Sequence, residues 1–356
     1  MDPRSAALLD LDAVTLPWLR ERSSAKWAYF PDDVLPAWVA EMDFPLAEPV
    51  ARALHQAIDR SDIGYRSERG LADALAHYAG TQWDWELDPR LVQSVGDVLA
   101  GVAAAIEAFT APGDGVVIMP PVYPPFFSTV TGVTHRTLVE VPLVTQAGEG
   151  GARDRAVMDR AGLAATFARP DVTACVLCSP HNPTGTVFTR EELAWLADCA
   201  AEHGVVVISD EIHAPLVLSG ATFTPYLDVV DDDAQAVMVG SASKGWNVPG
   251  LKCAHVVGTR ATMPRFREVT PLEVIYGAGH LGVLAAVAAY REGQPWLDAV
   301  VDVVDANMAM IDDVLTARLP LARYTRPEAS YLAWIDLSSY ELGDDPAPTI
   351  LERGRV

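Results

Sequence analysis

The chain has 356 residues, half of them apolar, which is enough for one large core and a smaller one, so two domains are expected. Its 26 Lys and Arg against 48 Asp and Glu give a formal charge of −22, which disfavours nucleic acid and anionic lipid as partners. The opening MDPRSAALLDLDAV lacks a basic stretch followed by a long apolar core, and no apolar run is long enough to span a bilayer.

Taken in chain order, the first forty-odd residues are rich in Pro and Trp and are expected to pack on a smaller domain or on a partner chain. Beyond them, short β-rich runs alternate with helical ones. Strands are expected over 91–95, 115–119, 135–140, 172–178, 205–209, 236–240 and 253–257. Amphipathic helices are expected over 98–110, 155–167 and 190–203, the last starting at Thr189 with Glu192 three residues on, a capping-box pattern. The GEGG stretch at 148–151 reads as a loop and not as a phosphate cradle. Such alternation predicts an α/β fold, a mostly parallel seven-stranded sheet between helices, with ligands at the carboxyl ends of the strands. A long helical stretch follows over 281–318, broken near 293–295, then strands near Arg323 and over 331–336 and a helix over 346–353. The expected division is an N-terminal segment 1–45, a large domain 46–285 and a small α+β domain 286–356.

The four cysteines include Cys175 and Cys178, a CxxC inside the apolar run VTACVLC. With no second CxxC and no His cluster it reads as a buried strand, no metal site is expected, and a reduced cytoplasmic protein fits best. Three positions carry chemistry. Lys244, in SASKGWNVPGLK at 241–252, is one of three lysines against 23 arginines. Arg stays charged, whereas Lys can lose its proton and attack a carbonyl; the plain alternative is a chance surface lysine. Asn182 lies in SPHNPTG at 179–185, where a turn can present a neutral amide donor, or where Asn-Pro is simply turn chemistry. Asp210 lies in SDEIH at 209–213, a strand-end carboxylate whose plain alternative is a helix cap. The spacing is 28 residues from Asn182 to Asp210 and 34 from Asp210 to Lys244, each motif following an expected strand.

In these motifs the chain resembles the fold-type I pyridoxal-phosphate enzymes of the class I/II aminotransferase superfamily. It is most similar to the cystathionine β-lyase branch, the carbon–sulfur lyases of MalY/PatB type. WVAEMDFP at 38–45, IGYR at 63–66, PPVYPPFF at 120–127, AAYREGQPWLDAVVDVVDANM at 288–308 and SYLAWIDL at 330–337 extend the resemblance over nearly the whole chain. The resemblance implies that Lys244 holds the cofactor covalently and then removes the substrate Cα proton. It implies that Asp210 pairs with the pyridine nitrogen, Asn182 bonds the ring phenolate oxygen and Tyr123 stacks on the ring. Ser241, Ser243 and the backbone amides of Val98 and Leu99 at a helix start would take the phosphate, with Asp97 capping that helix or turned away. Tyr65 would reach the phosphate of a neighbouring subunit in a homodimer. Lys252 reads either as a phosphate ligand or as a surface lysine. His213 stands where aminotransferases carry a Tyr, a departure that agrees with the lyase branch.

In this family an Arg near the C-terminus grips the substrate carboxylate. The sequence ends at LERGRV without a matching motif, so Arg353 and Arg355 are not assigned that role. The expectation is a truncated chain that binds the cofactor but turns over poorly. The implied reaction is α,β-elimination on cysteine S-conjugates such as L-cystathionine, giving thiol, pyruvate and ammonia. Two rivals stay open: an aminotransferase on the same scaffold, and a regulatory protein that uses the scaffold to hold a transcription factor.

Overall fold

The structure, a computed structural model, describes residues 8–67, 70–148, 154–343 and 345–356. Of the GEGG loop, residues 149–151 lie outside the described residues. The sheet holds seven strands in the order β1 (Val92–Val95), β9 (Ala254–Gly258), β8 (Ala236–Gly240), β7 (Val206–Asp210), β6 (Val172–Cys178), β2 (Gly115–Ile118) and β3 (Thr137–Glu140). From β8 through β3 all pairs are parallel, while β9 runs antiparallel to both β8 and β1. Nearly every residue of the central strands is buried, as a sheet covered on both faces requires. One face packs on the helices Val98–Phe109 and Thr262–Val269. The other packs on Arg160–Phe167 and Arg190–His203 toward one side, and on Leu71–Gln82 and His280–Glu292 toward the other.

Most local expectations hold. The helix Arg190–His203 starts at a complete capping box, Thr189 and Glu192 each accepting the other's backbone amide. β3 begins at Thr137 because His135 sits at φ 53°, in the left-handed region. Two expectations are corrected. Residues 155–167 are not one helix: Arg155–Val157 is β5, paired antiparallel with β4 (Val144–Gln146), and the helix starts at Arg160 after an Asp159 cap. The Arg155 guanidinium explains the difference, since it forks onto Glu192 at 2.7 and 3.0 Å and donates to Val187 O at 2.5 Å. Likewise only Ile335–Asp336 (β11) of the expected 331–336 strand pairs, with β10 (Arg323–Tyr324). Residues 329–331 are drawn elsewhere: the Ala329 amide donates to Gly185 O, the Ser330 amide to Leu216 O, and Ser330 adopts φ 71°.

The anchor of that detour is Gly185, which ends the NPTG turn. It has φ 69°, and a Cβ there would stand 2.2 Å from Pro327 Cβ and 2.9 Å from Ala329 O. Gly185→Ala would meet both crowding, about 1–3 kcal/mol, and a left-handed backbone, about 1–2 kcal/mol. A fall of this size in urea-unfolding free energy is expected; an unfolding midpoint equal to wild type would contradict the packing described.

Cys175 and Cys178 face opposite sides of β6, one in each core layer, so their side chains cannot converge on one ion. Both thiols are buried and free, and burial pushes Cys175 up to about 12. Among the described residues, no helix is long and apolar enough to cross a membrane.

Candidate active site

Three strand ends build the site. Cys178, Asp210 and Gly240 end β6, β7 and β8, and Cys178 lies level with Asp210 across the parallel ladder. After β8, Ser241 caps the single helical turn Ala242–Gly245, its Oγ accepting from the Ser243 amide at 3.0 Å. That turn carries Lys244, whose Nζ donates to Ala40 O at 2.7 Å. Burial pushes the Lys244 ammonium below the usual lysine range, while the Asp210 and Glu41 carboxylates pull it back up.

Asp210 is buried, and its carboxylate accepts from the Ile212 amide at 3.1 Å. Burial pushes it up to about 7, against the opposing pull of that amide and of Lys244. Tyr123 is half-buried, edge-on to Phe126 at 5.6 Å. Its phenol is raised by burial and then by Asp210, Asp97 and Cys178, so it stands among those groups. The Asn182 backbone amide donates to Cys178 Sγ at 3.4 Å, and its side-chain amide has no hydrogen bond among the described residues. His213 is buried, its Nδ1 3.1 Å from Ser330 Oγ, and burial followed by Lys244 pushes it down to about 3. It is therefore a neutral imidazole at physiological pH.

The helix Val98–Phe109 opens with the amides of Val98 and Leu99. Asp97 caps it, Oδ1 accepting from Ala100 N at 2.9 Å, while Oδ2 pairs with Lys252 Nζ at 2.9 Å. Burial opposes charge on Asp97, but the Ala100 amide and Lys252 outweigh it and hold the carboxyl low. Asp97 thus caps the helix, and Lys252 is its exposed ion-pair partner. Ser241 Oγ donates to Cys253 O at 2.6 Å and lies 2.9 Å from Ser243 Oγ. Tyr65 is the predicted residue that the chain does not bring in: it stands fully exposed between the helices Glu48–Asp59 and Leu71–Gln82.

Sequence reasoning missed two members of the site. The Ala40 carbonyl accepts not only from Lys244 but also from the Tyr331 hydroxyl, at 3.1 Å. Both residues lie in segments that carried the family resemblance, yet a backbone carbonyl leaves no side-chain signature. A cleft of about 880 Å³ opens beside Thr184 and Gly185, between the β4–β5 hairpin and β10–β11, and Lys244 does not line it. Its arginines are already paired, Arg155 with Glu192, Arg323 with Asp336 and Arg326 with Asp305.

A parallel sheet whose strand ends present a lysine, an aspartate and an asparagine defines the class. The sequence profile of the family described as Aminotransferase class I and II matches residues 40–353, and the chain belongs to that family. Cystathionine beta-lyase PatB of Bacillus subtilis is 34% identical over 91% of this chain and 83% of its own length. A cystathionine beta-lyase of Corynebacterium glutamicum is 32% identical over 95% of this chain and 88% of its own. The crystal structure of the PLP-bound C-S lyase from Staphylococcus hominis superposes with a TM-score of 0.86 at 26% identity, covering 94% of this chain and 86% of its own.

Proposed function

We propose that this protein is a pyridoxal-phosphate-dependent carbon–sulfur lyase that eliminates thiol from cysteine S-conjugates of the cystathionine type. The observation that carries the reading is that Lys244 and Asp210 stand within electrostatic reach of each other at adjoining strand ends. A lysine depressed by burial lies beside a buried carboxylate, both at the carboxyl ends of neighbouring parallel strands. The relatives named above supply the reaction class.

The residues present suit pyridoxal phosphate. Asp210 is a buried carboxylate whose side chain has one amide donor and no bonded cation among the described residues, so a protonated ring nitrogen would complete it. The Asn182 amide is free to donate to the ring oxygen, Tyr123 offers a ring face, and neutral His213 borders the same space. The Val98 and Leu99 amides, with Ser241 and Ser243, form a helix-start and hydroxyl set for the dianion. Bound there, pyridoxal phosphate supplies an electron sink. Lys244 Nζ, whose charged form burial disfavours, would take the substrate Cα proton, and the electron pair released would expel the thiolate from Cβ. Hydrolysis of the three-carbon remainder gives pyruvate and ammonia.

The reading includes a homodimer in which Tyr65, exposed here, reaches the phosphate of the partner, and a cytoplasmic location. It also takes residues 46–285 as the cofactor-holding domain, 286–356 as the smaller domain and 1–45 as a segment packed against the smaller domain or the partner. Position 285 lies inside the helix His280–Glu292, so the two domains would share that helix.

The test is to supply cystathionine with pyridoxal phosphate and no keto acid. Pyruvate and thiol in equal amounts are expected. A strict requirement for a keto-acid acceptor would replace this reading by the aminotransferase.

A further inference from the structure

Residues 40–44 cross the Lys244 loop as a strap in which every backbone carbonyl has a donor. From the inner side, Lys244 Nζ and Tyr331 Oη donate to Ala40 O, and Asn247 clamps Met42. Its Oδ1 accepts from Met42 N at 2.9 Å and its Nδ2 donates to Met42 O at 2.7 Å, closing a two-bond amide pair. From the outer side, Lys26 Nζ donates to Glu41 O and to Asp43 Oδ2, each at 2.8 Å, and Trp27 Nε1 donates to Asp43 Oδ1 at 2.8 Å. Arg22 takes Asp43 O at 3.0 Å and Phe44 O at 3.4 Å. Lys26 is itself buried, so its charge is committed to this task.

We propose that Asn247 is a positioning residue for Lys244: through Met42 it fixes the Ala40 carbonyl that holds the lysine amine whenever that amine is free. This rests on the reading of Lys244 as the reactive amine.

The chemistry supports the assignment. A lysine that must deliver and take back one proton carries a flexible four-carbon stem, and one acceptor in a fixed place selects one arrangement of it. A carbonyl oxygen has two lone pairs, and here one serves Lys244 and the other Tyr331. Asn247 lies three residues after Lys244 and has φ 55°, a backbone that Asn tolerates better than most side chains. A strap clamped this way also covers the amine and keeps water away from it. The charged and titratable groups facing Lys244 are Asp210 on β7, Glu41 on the strap, His213 after β7 and Tyr331, which shares its acceptor.

The test uses the full chain without added cofactor. Formaldehyde and cyanoborohydride are applied across a pH series, and methylation at Lys26, Lys244 and Lys252 is read by peptide mass spectrometry. In the wild type, Lys244 should react with a midpoint below that of exposed Lys252. Asn247→Gly suits the left-handed backbone and removes the side chain whose amide clamps Met42. It should loosen the strap, admit water and shift the Lys244 midpoint upward, with the Lys252 midpoint unchanged. Tyr331→Phe, which deletes one hydroxyl, should shift it in the same direction by less, and gives the reading if Asn247→Gly does not fold. A Lys244 midpoint equal to wild type in a folded variant overturns the proposal. Failure of the parent reading looks different: borohydride reduction after cofactor addition would then place the pyridoxyl label on Lys26 or Lys252, whatever the methylation profile.

Discussion

Lys244→Ala is expected to abolish borohydride-trappable attachment of pyridoxal phosphate and to lower elimination by at least about 10²–10⁴-fold, the usual worth of a positioned general base. Under the proposed reading both losses come from one atom, because the Nζ that would capture the cofactor is the same base that would take the Cα proton. The two other lysines cannot substitute: Lys26 is locked on Glu41 O and Asp43, and Lys252 is paired with Asp97. Substitution by Arg should be no better, since a guanidinium stays protonated and cannot form the bond. Thiol release and the reduced-adduct peptide map check the two halves separately. Thiol release that survives Lys244→Ala would remove Lys244 from the reaction, whereas a regulatory binding role is the one expected to survive that substitution.

Asp210→Asn should retain the cofactor yet lower elimination by roughly 10- to 10³-fold. A close opposite charge moves a titrating group by about 1–3 units, and Asn would no longer hold the ring nitrogen in its protonated form. The same substitution has a second signature in the cofactor-free chain. Burial raises Asp210 from 3.8 to about 7 in the fold. Between those values the native state binds a proton that the unfolded chain has released. Stability therefore falls as pH rises through that window and levels off above it. Glu211, likewise buried and pushed up to about 8, extends the fall by about one unit. The Asp210 share is at most about 1.4 kcal/mol per pH unit. Urea unfolding at pH 5 and pH 8 should show wild type losing stability over the interval and Asp210→Asn losing less. Identical losses would mean that Asp210 is not the raised group.

What the sequence could reveal follows the range of the interactions. Thr189 and Glu192 sit three residues apart and announce the helix start, as realised in the fold. Apolar runs such as 172–178 announce buried strands, and the strand-end positions of Asn182, Asp210 and Lys244 follow from strand-then-turn order alone. The misread helix at 155–167 depended on Arg155, whose partners lie 32, 37 and 173 residues along the chain. Likewise the Ala40 carbonyl meets Lys244 across 204 residues and Tyr331 across 291. Neither meeting is written in a local pattern, because one partner is a peptide oxygen that every residue possesses.

The near-absence of lysine has a practical consequence. Of the three side-chain amines, Lys26 is 9% exposed and Lys252 is 61% exposed beside Asp97 at the helix start. Among the lysines, succinimide dyes and amine-reactive resins would thus react chiefly at Lys252, at the start of the helix Val98–Phe109. Attachment through an engineered thiol on the far end of the sheet would leave that helix start clear.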